Sequence, residues 1–224
     1  MVIASPKSKS TPKSTQVSQE TLLTPCLPLR GVSWSTYQAL MTDIGENRPW
    51  RIAYNQGILE IRMPLLQHEL PKGLLESFIE ATADELEIEL MKAGALRLER
   101  EDLKRAIEPD GCFYIQNEAK VRGKKEIDLA VDPPPDLAIE SDYTNSCLNK
   151  FSIYASLGVT ELWRYYKGNL EVYQLVGEEY EKKDESLAFP SFPVGEVVQL
   201  IEVSKTEGQR YAVRLLRKRI INRR

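Results

Sequence analysis

Acidic side chains and one lysine between residues 108 and 163 could carry chemistry in this 224-residue chain. Nine carboxylates fall between Glu108 and Asp142, several of them at the ends of short apolar runs, where strands meet loops. One such run, residues 111–116, follows Pro109-Asp110. Another, residues 137–141, follows Pro135-Asp136 and contains Glu140. If the two runs pair as antiparallel neighbours, the start of the first lies beside the end of the second, and Asp110 stands next to Glu140. Asp136 shares a face with Glu140, because side chains repeat every two residues along a strand. At about 13 Å along the strand it is too far away to share one ion with it.

Two carboxylates converging at a strand end can hold a hard cation such as Mg²⁺, or Mn²⁺ in its place, since such ions prefer oxygen ligands and retain several waters. A neighbouring lysine then stabilises charge developing on a phosphate and helps deprotonate an attacking water. Lys150, which opens the amphipathic run 150–157, is the nearest suitable one. Asp, Glu and Lys so arranged are a minimal set for metal-dependent phosphodiester hydrolysis. Carboxylates clustered without a cation repel each other, so the sequence predicts that Glu140→Gln leaves the metal-free fold unchanged or slightly stronger.

Other groups compete for roles. Asp128 rivals Asp110 as a metal ligand, on an alternating run over 126–132 that reads as a strand, but Pro133-Pro134-Pro135 separates it from Glu140. Asp110 is preferred. His68 and Glu69 stand at the mouth of a long helix, where Glu69 could reach a metal through water and a neutral imidazole could orient a phosphate. The plainer role for Glu69 is to complement the helix dipole. Glu76 and Glu80 read as solvated face residues. Asp142 could support the metal from behind its ligands, and Asn145 or Ser146 suits a helix cap.

At these positions the chain resembles a known family. Pro109-Asp110, Pro135-Asp136-Leu137 with Glu140, then Lys150, Tyr154, Gly158-Val159 and Glu161-Leu162-Trp163 are similar to the Uma-two type of restriction endonuclease, within the PD-(D/E)xK nuclease superfamily. The resemblance runs from about residue 33 to about residue 192. It implies a nuclease-like α/β core and a metal site at Asp110 and Glu140. The superfamily's usual lysine, two residues after the Glu, would fall at Asp142. In this family it has moved to the following helix, which Lys150 matches. Relatives often carry a His where His68 stands, and they tend to pair. With an aromatic stretch over 163–173 read as exposed, this predicts a homodimer.

Composition bounds the alternatives. Hydrophobic residues at 42% and charged residues at 28% are ordinary for a globular chain, and no apolar run approaches the roughly 20 residues that span a bilayer. No secretory signal is legible. Cys26, Cys112 and Cys147 have no CxxC spacing, so a reduced cytoplasmic setting with neither disulfide nor zinc site is expected. The formal net charge of −3 hides an uneven spread. The ends are basic, and residues 21–213 carry 21 basic and 32 acidic side chains, a net of −11. Phosphate contacts dominate nucleic-acid affinity, so a body this acidic must grip DNA locally or through its basic C-terminus. Phosphate-loop, dinucleotide, nucleophile-elbow and HExxH signatures are absent.

The elements that must position these residues follow from periodicity. Residues 1–20 read as a disordered tail, 21–205 as a restriction-endonuclease-like domain and 206–224 as a basic C-terminal helix. Ser33 caps a helix to about 44. A hairpin spans 50–63 around Asn55-Gln56-Gly57. A long helix covers 69–92, with Pro71 in its first turn and Gly94 as its stop. A β-meander runs from 161 to 183, and an apolar run from 197 to 203. The fold class is α/β: a mixed sheet of six to eight strands flanked by helices, with an N-terminal hairpin and a C-terminal meander. The leading function is a Mg²⁺-dependent DNA endonuclease. The alternatives are a catalytically silent nucleic-acid or protein interaction module, and a subunit that acts only with a partner.

Overall fold

The computed structural model describes residues 26–45, 48–63, 66–142 and 146–223. The tail expected to be disordered lies outside them. The fold is mixed α/β with two sheets rather than one. The smaller sheet is antiparallel and combines β1 (Cys26–Arg30), β2 (Arg51–Asn55), β3 (Ile58–Arg62), β5 (Leu98–Arg100) and β6 (Arg105–Ile107), in the order β1-β3-β2-β6-β5. The larger holds β4 (Met91–Gly94), β7 (Gly111–Tyr114), β8 (Leu137–Asp142), β9 (Glu161–Tyr166), β10 (Asn169–Val176) and β11 (Glu179–Lys183), in the order β11-β10-β9-β8-β7-β4. Here β8 and β9 run parallel, joined by helix α4 (Lys150–Leu157) as a crossover, while the one-turn α3 (Glu118–Val121) lies between β7 and β8.

Alternation along β8 divides the core. Leu137 and Ile139 face helices α2 (Leu66–Leu86), α5 (Val197–Glu207) and α6 (Gln209–Ile221), in one cluster with Phe78, Trp163, Leu200 and Leu216. Ala138 faces the other way, toward Ile153, Tyr154 and Leu157 of α4 and toward Leu98 and Ile107 of the smaller sheet. Glu140 follows the parity of Ala138. A third cluster packs Trp34, Tyr37 and Met41 of α1 (Trp34–Ile44) on Ile52, Tyr54 and Leu59. Ser33 caps α1 by accepting from Thr36 N at 3.1 Å, and the β2–β3 turn places Gln56 and Gly57 at positive φ, as a tight hairpin requires.

Several expectations are corrected. Helix α2 begins at Leu66, so Pro71 lies inside the helix rather than in its first turn. It ends at Leu86 because Glu87 takes a left-handed φ of 55° and Ile88 N reaches back to Ala83 O at 2.9 Å. The residues that follow become β4, paired with β7. Residues 126–132 form turns, not a strand: Val131 is 81% exposed, and the Asp128 side chain accepts from Ala130 N at 2.9 Å. The run 197–203, to which periodicity assigned no element, lies in helix α5. The aromatic meander is no exposed surface, since Trp163 is fully buried against Phe192. Cys112 is a buried free thiol, but Cys147 is disulfide-bonded. Spacing along the chain does not report which thiols a fold brings together. Among the described residues, no helix is long and apolar enough to cross a membrane.

Candidate active site

The β7–β8 register fixes the first pair. Gly111 sits opposite Ile139, and Asp110 N donates to Ile139 O at 3.1 Å, extending the ladder by one bond. Asp110 therefore lies beside the end of β8, where Ser141 N donates to its Oδ2 at 2.7 Å. Glu140 projects from that same end. Both acids are nearly sequestered from solvent, at 7% and 2% exposure.

Helix α4 brings two more groups to Glu140. Lys150, its first residue, places Nζ 2.5 Å from Glu140 Oε2. Tyr154, one turn later, donates its hydroxyl to Glu140 Oε1 in a short hydrogen bond. Burial first, and then the negative charge of Glu140, hold the Tyr154 hydroxyl well above its ordinary pKa, so it stays protonated as a donor. Asn149 caps the helix by accepting from Ser152 N.

Strand β3 supplies what the sequence reading missed. Arg62 reaches across with both terminal nitrogens, 3.1 Å from Asp110 Oδ1 and 3.3 Å from Glu140 Oε2. Glu60, on the same strand face, is buried and accepts from Ser146 Oγ, Cys147 N and Leu148 N at 2.8, 2.8 and 3.0 Å. It ties down the segment leading into Lys150. Glu76, expected to be solvated, is buried. Its Oε1 lies 2.7 Å from where a Cβ would stand on Gly111, and Lys92 pairs with its other oxygen at 2.9 Å. The only sequence signal for the β3 pair was Glu60 and Arg62 alternating with apolar neighbours, a pattern equally suited to a solvated hairpin face.

The remaining candidates fall elsewhere. Asp136 sits at the far end of β8, accepting from Ile115 N at 2.6 Å and from Asn117 N at 2.9 Å, a structural role. Asp128 is in the exposed turn described above. Glu69 pairs with Lys72 at 3.4 Å on the α2 surface. The side chains of His68 and Asp142 lie outside the described residues.

Asp110, Glu140, Arg62 and Lys150 sum to zero charge. Burying four ions costs several kcal/mol each before pairing offsets it, and apolar residues of equal volume are often as stable. Such a cluster is a functional-site candidate. Its donor chemistry fits a hard cation. Each carboxylate has one oxygen oriented by the protein, through Ser141 N or the Tyr154 hydroxyl, and turns the other toward Arg62, with Lys150 also on the Glu140 oxygen. Among the described residues no cluster of three or more His, Cys, Asp or Glu could hold a metal. A cation here would take two side-chain ligands and complete its shell with water, a habit of Mg²⁺.

Comparison with known proteins agrees with this architecture. The solved structure titled "Crystal structure of a putative nuclease belonging to DUF820 from Anabaena variabilis ATCC 29413" superposes with a TM-score of 0.54 at 18% identity. The match covers 76% of this chain and 99% of that one, a likeness of fold. No curated protein matches the chain. The family model for Uma2, described as "Putative restriction endonuclease", matches residues 34–204, a span that contains Asp110, Glu140 and Lys150. The chain belongs to that family.

Proposed function

We propose that the protein is a divalent-metal-dependent nuclease that hydrolyses phosphodiester bonds in DNA, using Mg²⁺ or Mn²⁺ at Asp110 and Glu140. The observation that carries this reading is the pair of carboxylate oxygens, Asp110 Oδ1 and Glu140 Oε2, turned to one shared cationic position with the Lys150 ammonium alongside. When bound, a divalent cation would polarise the phosphate and supply a water of lowered pKa. The protein's own groups do the rest. Lys150 offsets negative charge as it builds on the phosphate oxygens, in a pocket where little solvent screens it. Tyr154 fixes the rotamer of Glu140, and Glu60 fixes the start of α4.

The test is cleavage of double- and single-stranded DNA by the full chain with Mg²⁺, Mn²⁺ or EDTA, beside Asp110→Asn and Lys150→Met. Metal-dependent cleavage lost in both variants supports the reading. Cleavage that persists in both belongs to another site or a contaminant.

One observation favours a second reading, a nuclease fold that binds without cutting: Asp110 and Glu140 are already paired with Arg62 and Lys150. DNA binding with no cleavage under either metal would select it.

A further inference from the structure

Arg62 stands where the two carboxylates converge. Its two terminal nitrogens bind Asp110 Oδ1 and Glu140 Oε2, whereas Ser141 N and the Tyr154 hydroxyl hold the other oxygen of each carboxylate and Lys150 shares Glu140 Oε2. We propose that Arg62 is a built-in counter-cation that a divalent metal ion displaces, so that it competes with the metal for Asp110 and Glu140. The proposal rests on the metal-binding reading above.

Three observations support it. The first is geometry: a planar guanidinium presents its donors as a fork, and here the two outer nitrogens bridge acids from two different strands rather than gripping one carboxylate with both. Arg62 thereby holds the ligand pair together while no metal is bound. The second is charge. A divalent ion bound to the same two oxygens would stand against the like charge of the guanidinium, and displacement of Arg62 relieves that repulsion where little water screens it. The third is position. Arg62 is the last residue of β3, and its side chain is 12% exposed against 2% for Glu140. Lys150, by contrast, is 5% exposed and held in the first turn of α4.

The test uses the full chain with Mn²⁺ and Mg²⁺ as probes in calorimetric titrations of wild type and Arg62→Gln. The variant should bind Mn²⁺ more tightly, by about 5-fold or more, the usual lower range for coupled sites. Its metal-free melting temperature should fall, and its gain in melting temperature on adding metal should exceed that of wild type. If Arg62→Gln does not fold, side-chain ¹⁵N NMR of wild type replaces it. The Arg62 guanidinium signals should shift and exchange faster with solvent on saturation with Mg²⁺. Equal or weaker Mn²⁺ binding by a folded variant, or unmoved Arg62 signals at saturation, overturns the proposal and leaves the metal site standing. Absence of binding to both proteins removes the metal-site reading, and the competition with it.

Discussion

Tyr154 donates its hydroxyl to one oxygen of Glu140 while Lys150, four residues earlier on α4, meets the other. One helical turn thus grips both oxygens of a carboxylate delivered by a neighbouring strand, because positions i and i+4 share a helix face. The same carboxylate also reaches Arg62, so in this fold it is bound as an anion by cations.

That arrangement reverses the stability expectation drawn from sequence. Glu140→Gln removes the partner of two buried cations rather than a repelling neighbour of Asp110. The metal-free protein should lose roughly 3–5 kcal/mol, the cost of breaking a buried pair from one side. Adding Lys150→Met should recover more than about 1 kcal/mol, since the two residues are directly coupled. Urea denaturation of wild type, both single variants and the double variant completes the cycle, and additive losses would disprove the coupling.

Tyr154→Phe should show a pH signature. The hydroxyl is held well above its ordinary value of 10.0 by burial and by Glu140. A raised pKa means stability that is fully present below the unfolded value and lost as pH climbs toward the folded one. Wild type should therefore exceed Tyr154→Phe in stability at pH 8, and the difference should shrink by about 1.4 kcal/mol per pH unit above 10. Tyr37, Tyr114 and Tyr180 are raised too but are common to both proteins. Parallel denaturation curves from pH 8 to 11 would refute the assignment.

Glu60→Gln tests the support of Lys150. One oxygen of Glu60 receives three donors from the segment before α4, and bonds to a charged acceptor are worth about 1.5–3 kcal/mol each. The Cys147 and Leu148 amides should exchange hydrogen faster in the variant, and cleavage should slow more than Mn²⁺ affinity weakens. Unchanged exchange at both amides would show that the segment is held by other contacts.

Gly111→Ala probes the packing behind Asp110. The added Cβ would fall 2.7 Å from Glu76 Oε1, closer than such contacts occur, and Glu76 is itself held by Lys92. Because the clash is with the end of a flexible side chain, a loss of about 1 kcal/mol, the low end for overpacking, is expected. Glu76→Ala in the same chain should restore part of it. A thermal melt of Gly111→Ala matching wild type would mean that Glu76 moves aside freely.

Much of the pairing was legible along the chain. Two short apolar runs with Asp110 before one and Glu140 within the other carried their own pairing, because antiparallel neighbours and a two-residue side-chain period leave few registers. The hairpin at Gln56-Gly57, the Ser33 cap and the α/β class were equally local in origin. Other features depend on contacts between distant segments. Residues 126–132 alternate as a strand would, yet they close into turns through Asp128 and Asp132, since periodicity does not report whether a partner strand is in reach. Arg62 and Glu60 lie 48 and 86 residues from their partners Asp110 and Ser146. No spacing rule links such positions. They meet because the fold brings the end of β3 to the end of β8, and charges on a strand are indistinguishable from solvated ones until the fold places something opposite them.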